Sequence, residues 1–132
     1  MTGEPRAQAL GALYAAETGG PAAPEAADLA PRAARLVAAV WAHRTELDAA
    51  IGDHAAGWRV ERMPVVDRNV LRIGAYELLY SETPVPIVID QAVELAKTYS
   101  TAKSGAFVNG VLDAMKGLRP GESSESRSES PD

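Results

Sequence analysis

The sequence predicts an all-α protein of about five substantial helices in one domain. Three observations carry that expectation. The 132 residues are 46% hydrophobic but only 5% aromatic, and much of the apolar content is Ala, which suits close-packed helices better than sheets. Apolar residues recur at offsets of three, four and seven in several stretches, and no period-2 run marks a strand. Glycine- and proline-rich breaks separate those stretches.

Residues 5–17 place Ala9, Leu10, Leu13 and Ala16 along one helical side, and Pro5 suits a first turn. Thr18-Gly19-Gly20-Pro21 ends this helix. A second helix is expected from about Pro31 to Ala56, with Ala33, Leu36, Val37, Val40, Trp41, Leu47 and Ile51 inward and Gly57 as its C-terminal cap. Arg59–Arg62 reads as a short basic turn. The next helix, Pro64 to Tyr80, carries an apolar stripe (Val66, Val70, Leu71, Ile73, Leu78) wide enough for several neighbours. Gly74 inside it costs about 1 kcal/mol relative to Ala, which a close helix crossing would explain.

Thr83-Pro84-Val85-Pro86 is expected to be extended and to continue through Ile87-Val88-Ile89, because a residue before proline is pushed out of the α region. A helix then starts near Asp90, with Ile89, Ala92, Val93 and Ala96 on its buried edge. Ser104 is the expected cap of a last helix bearing Val108, Val111, Leu112 and Met115 and ending at Gly117. Residues 119–132 read as a disordered, acidic, Ser-rich tail behind a domain of residues 1–118.

Composition excludes several classes. Zero cysteines rule out disulfides and thiolate metal sites, and they fit a cytoplasmic protein. No apolar run reaches the roughly 18 residues of a membrane helix. His43 and His54 lack a third ligand nearby, so no metal or other cofactor is expected. With no cysteine and both histidines in one predicted helix, no nucleophile–base arrangement exists, and an enzyme is not expected. Residues 120–132 hold four acids and one Arg, which leaves 14 acids against 12 Lys and Arg in residues 1–119. Overall charge therefore selects no partner, and local clustering has to.

One cluster stands out. Arg59, Arg62, Arg68 and Arg72 share fourteen residues with only Glu61 and Asp67 as acids. Two readings stay open: a phosphate-contacting face, with Tyr14 or Phe107 stacking a base, or a solvated helix face paired with Glu61, Asp67 and Glu77.

Trp58, then Glu61-Arg62-Met63-Pro64-Val65-Val66-Asp67-Arg68 and Leu71-Arg72-Ile73-Gly74-Ala75-Tyr76-Glu77-Leu78-Leu79, resembles the NusB family of bacterial transcription antitermination factors. Ala92-Val93-Glu94-Leu95-Ala96-Lys97 and Phe107-Val108-Asn109-Gly110-Val111-Leu112-Asp113 extend the likeness, as does Ala9-Leu10 with Leu13-Tyr14. The resemblance implies an all-helical fold of two small subdomains without catalysis. It also implies binding of boxA single-stranded RNA in nascent ribosomal RNA transcripts together with ribosomal protein S10 (NusE), in a complex that joins RNA polymerase, with no membrane partner. A homodimer stays open. The RNA-binding residues it implies are Arg6, Tyr14, Asp67, Arg68, Arg72, Lys97 and Phe107: cations for phosphates, aromatics for stacking, and Asp67 for a base edge. S10 contacts fall mainly on the C-terminal helices. The family's arginine-rich first segment is reduced here to Arg6 beside Glu4, and Lys103 stands where the family commonly has an acid. Either the true start lies upstream of Met1, or fewer arginines imply fewer phosphate contacts and weaker RNA binding; the competing reading is a protein-only adaptor or dimer.

Overall fold

The structure, a computed structural model, describes residues 4–20 and 22–120. Among these residues there are six α-helices and no strand: α1 (Pro5–Glu17), α2 (Pro31–Ala42), α3 (Arg44–His54), α4 (Val65–Tyr80), α5 (Val85–Tyr99) and α6 (Ala102–Met115). Short 3-10 turns at Val60–Arg62 and Lys116–Leu118 complete the path. The expected all-α class is what the chain adopts.

The helix α1 starts with Pro5 in its first turn, where the missing N–H removes no helical bond, and Glu4 caps it by accepting from the Ala7 N–H (3.1 Å). It stops where Gly19 takes φ +98°, a left-handed conformation that side chains resist.

The single helix expected over residues 31–56 is two helices, broken at His43. That residue has φ −101° and ψ 10° and serves as the C-cap of α2 and the N-cap of α3. Its Nδ1 bonds the Ala39 carbonyl, and its ring packs on Tyr76 and Tyr80 at 5.8 and 4.7 Å. The apolar period continues across this one-residue break, so periodicity did not reveal it. Gly57 follows α3 with φ +81°, the chain reversal expected of it.

The helix α4 is the axis of the molecule and touches all five other helices. Val70, Leu71, Ile73, Gly74, Ala75 and Leu78 are buried, and so are Asp67, Asn69, Arg72 and Glu77. Burial on every side cannot come from one stripe; it requires neighbours all round. Helix α1 runs antiparallel to it, with Arg6 against Glu77 at one end and Glu17 against Arg68 at the other. The expected close crossing at Gly74 is against α6: a Cβ there would lie 2.6 Å from Leu112 Cδ1.

The expected extended piece through Ile89 is instead the start of α5. Pro84 is its N-cap and Pro86 sits in its first turn, and the Ile87 and Val88 N–H groups both donate to the Pro84 carbonyl (2.9 and 3.0 Å). A proline in the first turn costs no hydrogen bond, and burial of Val85 and Val88 outweighs the local preference of a pre-proline residue. The cap of α6 also differs from expectation. Thr101 is the N-cap, and its hydroxyl accepts from the Ser104 N–H (3.0 Å).

The apolar core is continuous from Leu10 and Leu13 of α1 through Val40, Leu47 and Ile51 to Leu112 and Met115 of α6. Arg119, assigned to the tail by sequence, is buried: its guanidinium donates to the Leu78 and Glu77 carbonyls (2.8 and 2.9 Å). The rest of the expected disordered tail, residues 121–132, lies outside the described residues.

Candidate nucleic-acid interface

The arginines of α4 find their partners on other helices. Arg72 is 5% exposed. Its Nε and Nη2 donate to the two oxygens of Asp48 on α3 (2.7 Å each), and its Nη1 to Glu17 on α1 (2.7 Å). Arg68 donates to the other Glu17 oxygen (3.2 and 3.1 Å) and to the Val60 carbonyl (3.2 Å), and Asn69 also reaches Glu17 (3.1 Å). One carboxylate thus gathers three side chains of α4. Burial pushes the Glu17 carboxyl up, but the Arg72 hydrogen bond and charge, with Asn69 and Arg68, more than offset it and hold the group below the usual carboxylate range. Burial likewise works against the Arg72 charge, and the Asp48 and Glu17 hydrogen bonds override it, so its pKa is raised.

This network floors an open cleft of about 650 Å³, rimmed by Trp58, Arg59, Glu61 and Arg68. Trp58 is 53% exposed and meets the half-buried Phe107 edge-on, with ring centroids 5.5 Å apart. Arg59 pairs with Glu61 at 2.7 Å. The α4 arginines are not a solvated face, and their carboxylate partners are Glu17 and Asp48 rather than Glu61, Asp67 or Glu77.

Asp67 is buried. Its Oδ2 accepts from the Ser104 hydroxyl (2.9 Å), which ties α4 to the first turn of α6, and its Oδ1 has no hydrogen-bond partner among the described residues. Lys97 is exposed, its stem crossing Gly105 so closely that a Cβ there would lie 2.7 Å from Lys97 Cγ, and its Nζ is 3.7 Å from Glu94.

Arg6 stands elsewhere, between Glu77 (3.1 Å) and Glu4 (3.4 Å). Burial raises the Glu77 carboxyl, and the Arg6 charge only partly opposes this. Tyr14 is 44% exposed and borders an apolar hollow of about 300 Å³, with Gly11 in its wall and Tyr99, itself 53% exposed, on the α5 side. Sequence reasoning did not single out Tyr99; it lies on a different helix from Tyr14, and the two border one hollow because α1 and α5 both pack on α4.

Arg68, Arg72 and Phe107 therefore cluster around the Trp58 cleft, while Lys97 lies in a groove between α5 and α6, and Arg6 and Tyr14 border separate hollows on α1. Among the described residues no three His, Cys, Asp or Glu side chains gather as metal ligands, and no helix is long and apolar enough to cross a membrane.

Among the described residues the molecule is all-α, with exposed aromatic rings beside shallow clefts. The NusB family profile matches residues 4–116, and the chain belongs to the NusB family. It is 49% identical over 100 residues, 72% of its length, to the transcription antitermination protein NusB of Symbiobacterium thermophilum, and 56% identical over 75 residues, 56% of its length, to that of Streptomyces avermitilis. These alignments span 65% and 52% of the relatives' own lengths. Among solved structures, T. maritima NusB superposes with a TM-score of 0.79 at 29% identity, covering 92% of this chain and 94% of that one. A chain from a crystal structure described as a plectonemic RNA supercoil gives a TM-score of 0.73 at 31% identity, covering 84% and 90%.

Proposed function

We propose that this protein is a transcription antitermination factor that binds boxA RNA of nascent ribosomal RNA transcripts together with ribosomal protein S10 (NusE). The observation that carries this reading is the family match across nearly the whole described chain, residues 4–116. The surface supports it with sequence-tolerant stacking groups: Tyr14 and Tyr99 around one hollow, and Trp58 with Phe107 around another. Arg6, Arg68 and Lys97 supply phosphate contacts in this reading. The buried Asp67 and Arg72 act beneath the surface, by holding the start of α6 and the cleft floor in place.

The S10 surface in this proposal is the groove of about 590 Å³ between α5 and α6, with Val85, Ile89, Val93 and Ala106 in its wall and Lys97, Asp113 and Lys116 along its edges. An apolar centre with a charged rim is the ordinary anatomy of a protein interface.

One observation favours a second reading, a NusB-like adaptor with weak RNA binding. Arg6, Arg68 and Arg72 are all engaged by carboxylates of the same chain, and a paired arginine must give up a partner to take a phosphate. Titration of boxA and scrambled RNA at moderate salt, with and without S10, separates the two. Preferential boxA binding in either condition upholds the antitermination reading. Equal binding of both RNAs in both conditions leaves the adaptor.

A further inference from the structure

Beside the Arg6–Glu77 pair, α1, α2 and the C-terminal end of α4 enclose a cleft of about 290 Å³. Three arginines line it: Arg6, Arg32 and Arg35. The two acids that line it, Glu4 and Glu77, are both on Arg6. Arg32 and Arg35 are exposed on the first and second turns of α2, and among the described residues neither forms an ion pair or a side-chain hydrogen bond. They are three apart and so share one face of the helix.

Thr83 contributes a hydroxyl to the wall. Two exposed guanidinium groups without an ion pair of their own, beside a small concave surface with a hydroxyl in its wall, form an arrangement suited to one anionic, oxygen-rich group.

We infer that Arg32 and Arg35 bind a backbone phosphate of the RNA in the α1–α2–α4 cleft. The inference rests on the RNA-binding reading above and extends the RNA path from Arg6 onto α2, a helix that none of the sequence-derived site residues occupies. The contact is to the phosphodiester and so carries no base preference. It contributes equally to boxA and to any other single strand.

The test is the salt dependence of RNA binding by the wild-type protein and by R32Q/R35Q. Each phosphate contact on a single strand adds about 0.7 to the slope of log K against log salt concentration. The double variant is expected to lose about 0.7 of that slope and to bind roughly tenfold more weakly at low salt, for boxA and scrambled RNA alike. Neither side chain has an ion pair to lose, only the longer-range attraction of Arg32 to Glu77, so its thermal midpoint should stay close to the wild-type value. A single methylphosphonate walked through the RNA should then find a position that weakens the wild type but leaves R32Q/R35Q indifferent. Unchanged slope and affinity in the variant, or no such position, overturns the site. The outcomes are distinguishable from failure of the parent reading: loss of boxA preference by the wild type sinks that reading, whereas the slope difference measured on scrambled RNA still judges the cleft.

Discussion

Glu17, in the last turn of α1, and Arg72, in the middle of α4, meet at 2.7 Å although they are 55 positions apart in the chain. The Arg72 side chain is 6% exposed and that of Glu17 18%, and Asp48 closes the other side of the guanidinium. Breaking one partner of a largely buried pair leaves the other uncompensated. Glu17→Gln should therefore cost about 2–3 kcal/mol, read as a fall in thermal midpoint of roughly 6–12 °C. The Glu17 carboxyl is held low in the folded state, so its contribution is present above the unfolded value near 4.5 and is lost as pH falls through the folded one. An E17Q variant as stable as the wild type at pH 7 would show that the network contributes nothing.

The opposite sign applies at Glu77. Its folded pKa is raised by burial, so the contribution of this group is fully present below about 4.5 and is lost as pH rises through the folded value. Glu77→Gln mimics the protonated form. Urea unfolding from pH 4 to pH 7 should show the variant gaining on the wild type as pH rises, although it loses the Arg6 pair. Parallel stability curves would contradict the assignment.

At Gly74 the α4–α6 crossing leaves no room for a methyl group. A Cβ would sit 2.6 Å from Leu112 Cδ1 and 3.5 Å from Ala92 Cβ, and Leu112 is fully buried. Overpacking of this kind costs about 1–3 kcal/mol, against about 1 kcal/mol returned by helix propensity. Gly74→Ala should be net destabilising by about 1 kcal/mol in urea unfolding, and Leu112→Val should relieve part of that loss in the double variant. Additive effects would place the strain elsewhere.

Much of the fold was legible in the sequence because helices announce themselves by period and by punctuation. Pro5, Gly57 and the Gly74 crossing all behave as the residues suggest. The misreadings have local causes. The His43 break hides inside an unbroken apolar rhythm, and the α5 start hides behind two prolines that sit where a helix tolerates them. The candidate site was less legible. Arg68 and Arg72 invited a surface reading because their partners, Glu17 and Asp48, are remote in the chain; a helix buried on every side turns charged residues inward, and no spacing rule shows which acids will meet them. Tyr99, Arg32 and Arg35 went unnoticed for the same reason, since their neighbours come from other helices.

The two tyrosines at the α1 hollow yield a prediction for the RNA-binding reading. Stacking on an aromatic side chain is worth about 1–3 kcal/mol per base, so Tyr14→Ala should weaken boxA binding by roughly five- to 150-fold in fluorescence anisotropy. Tyr14→Phe, which keeps the ring, should stay near the wild-type affinity. If both variants bind as the wild type does, no base stacks on that ring.

Arg119 has a practical consequence for anyone shortening this chain. Its guanidinium covers two carbonyls at the end of the central helix, that of Leu78, in the last turn where helical carbonyls run out of internal partners, and that of Glu77, which Ser81 also reaches. The cooperative folding unit therefore reaches past the last helical turn to this residue. Trimming at Leu118 would strip the cap from the helix on which all the others rest, whereas a cut after Pro120 would keep it.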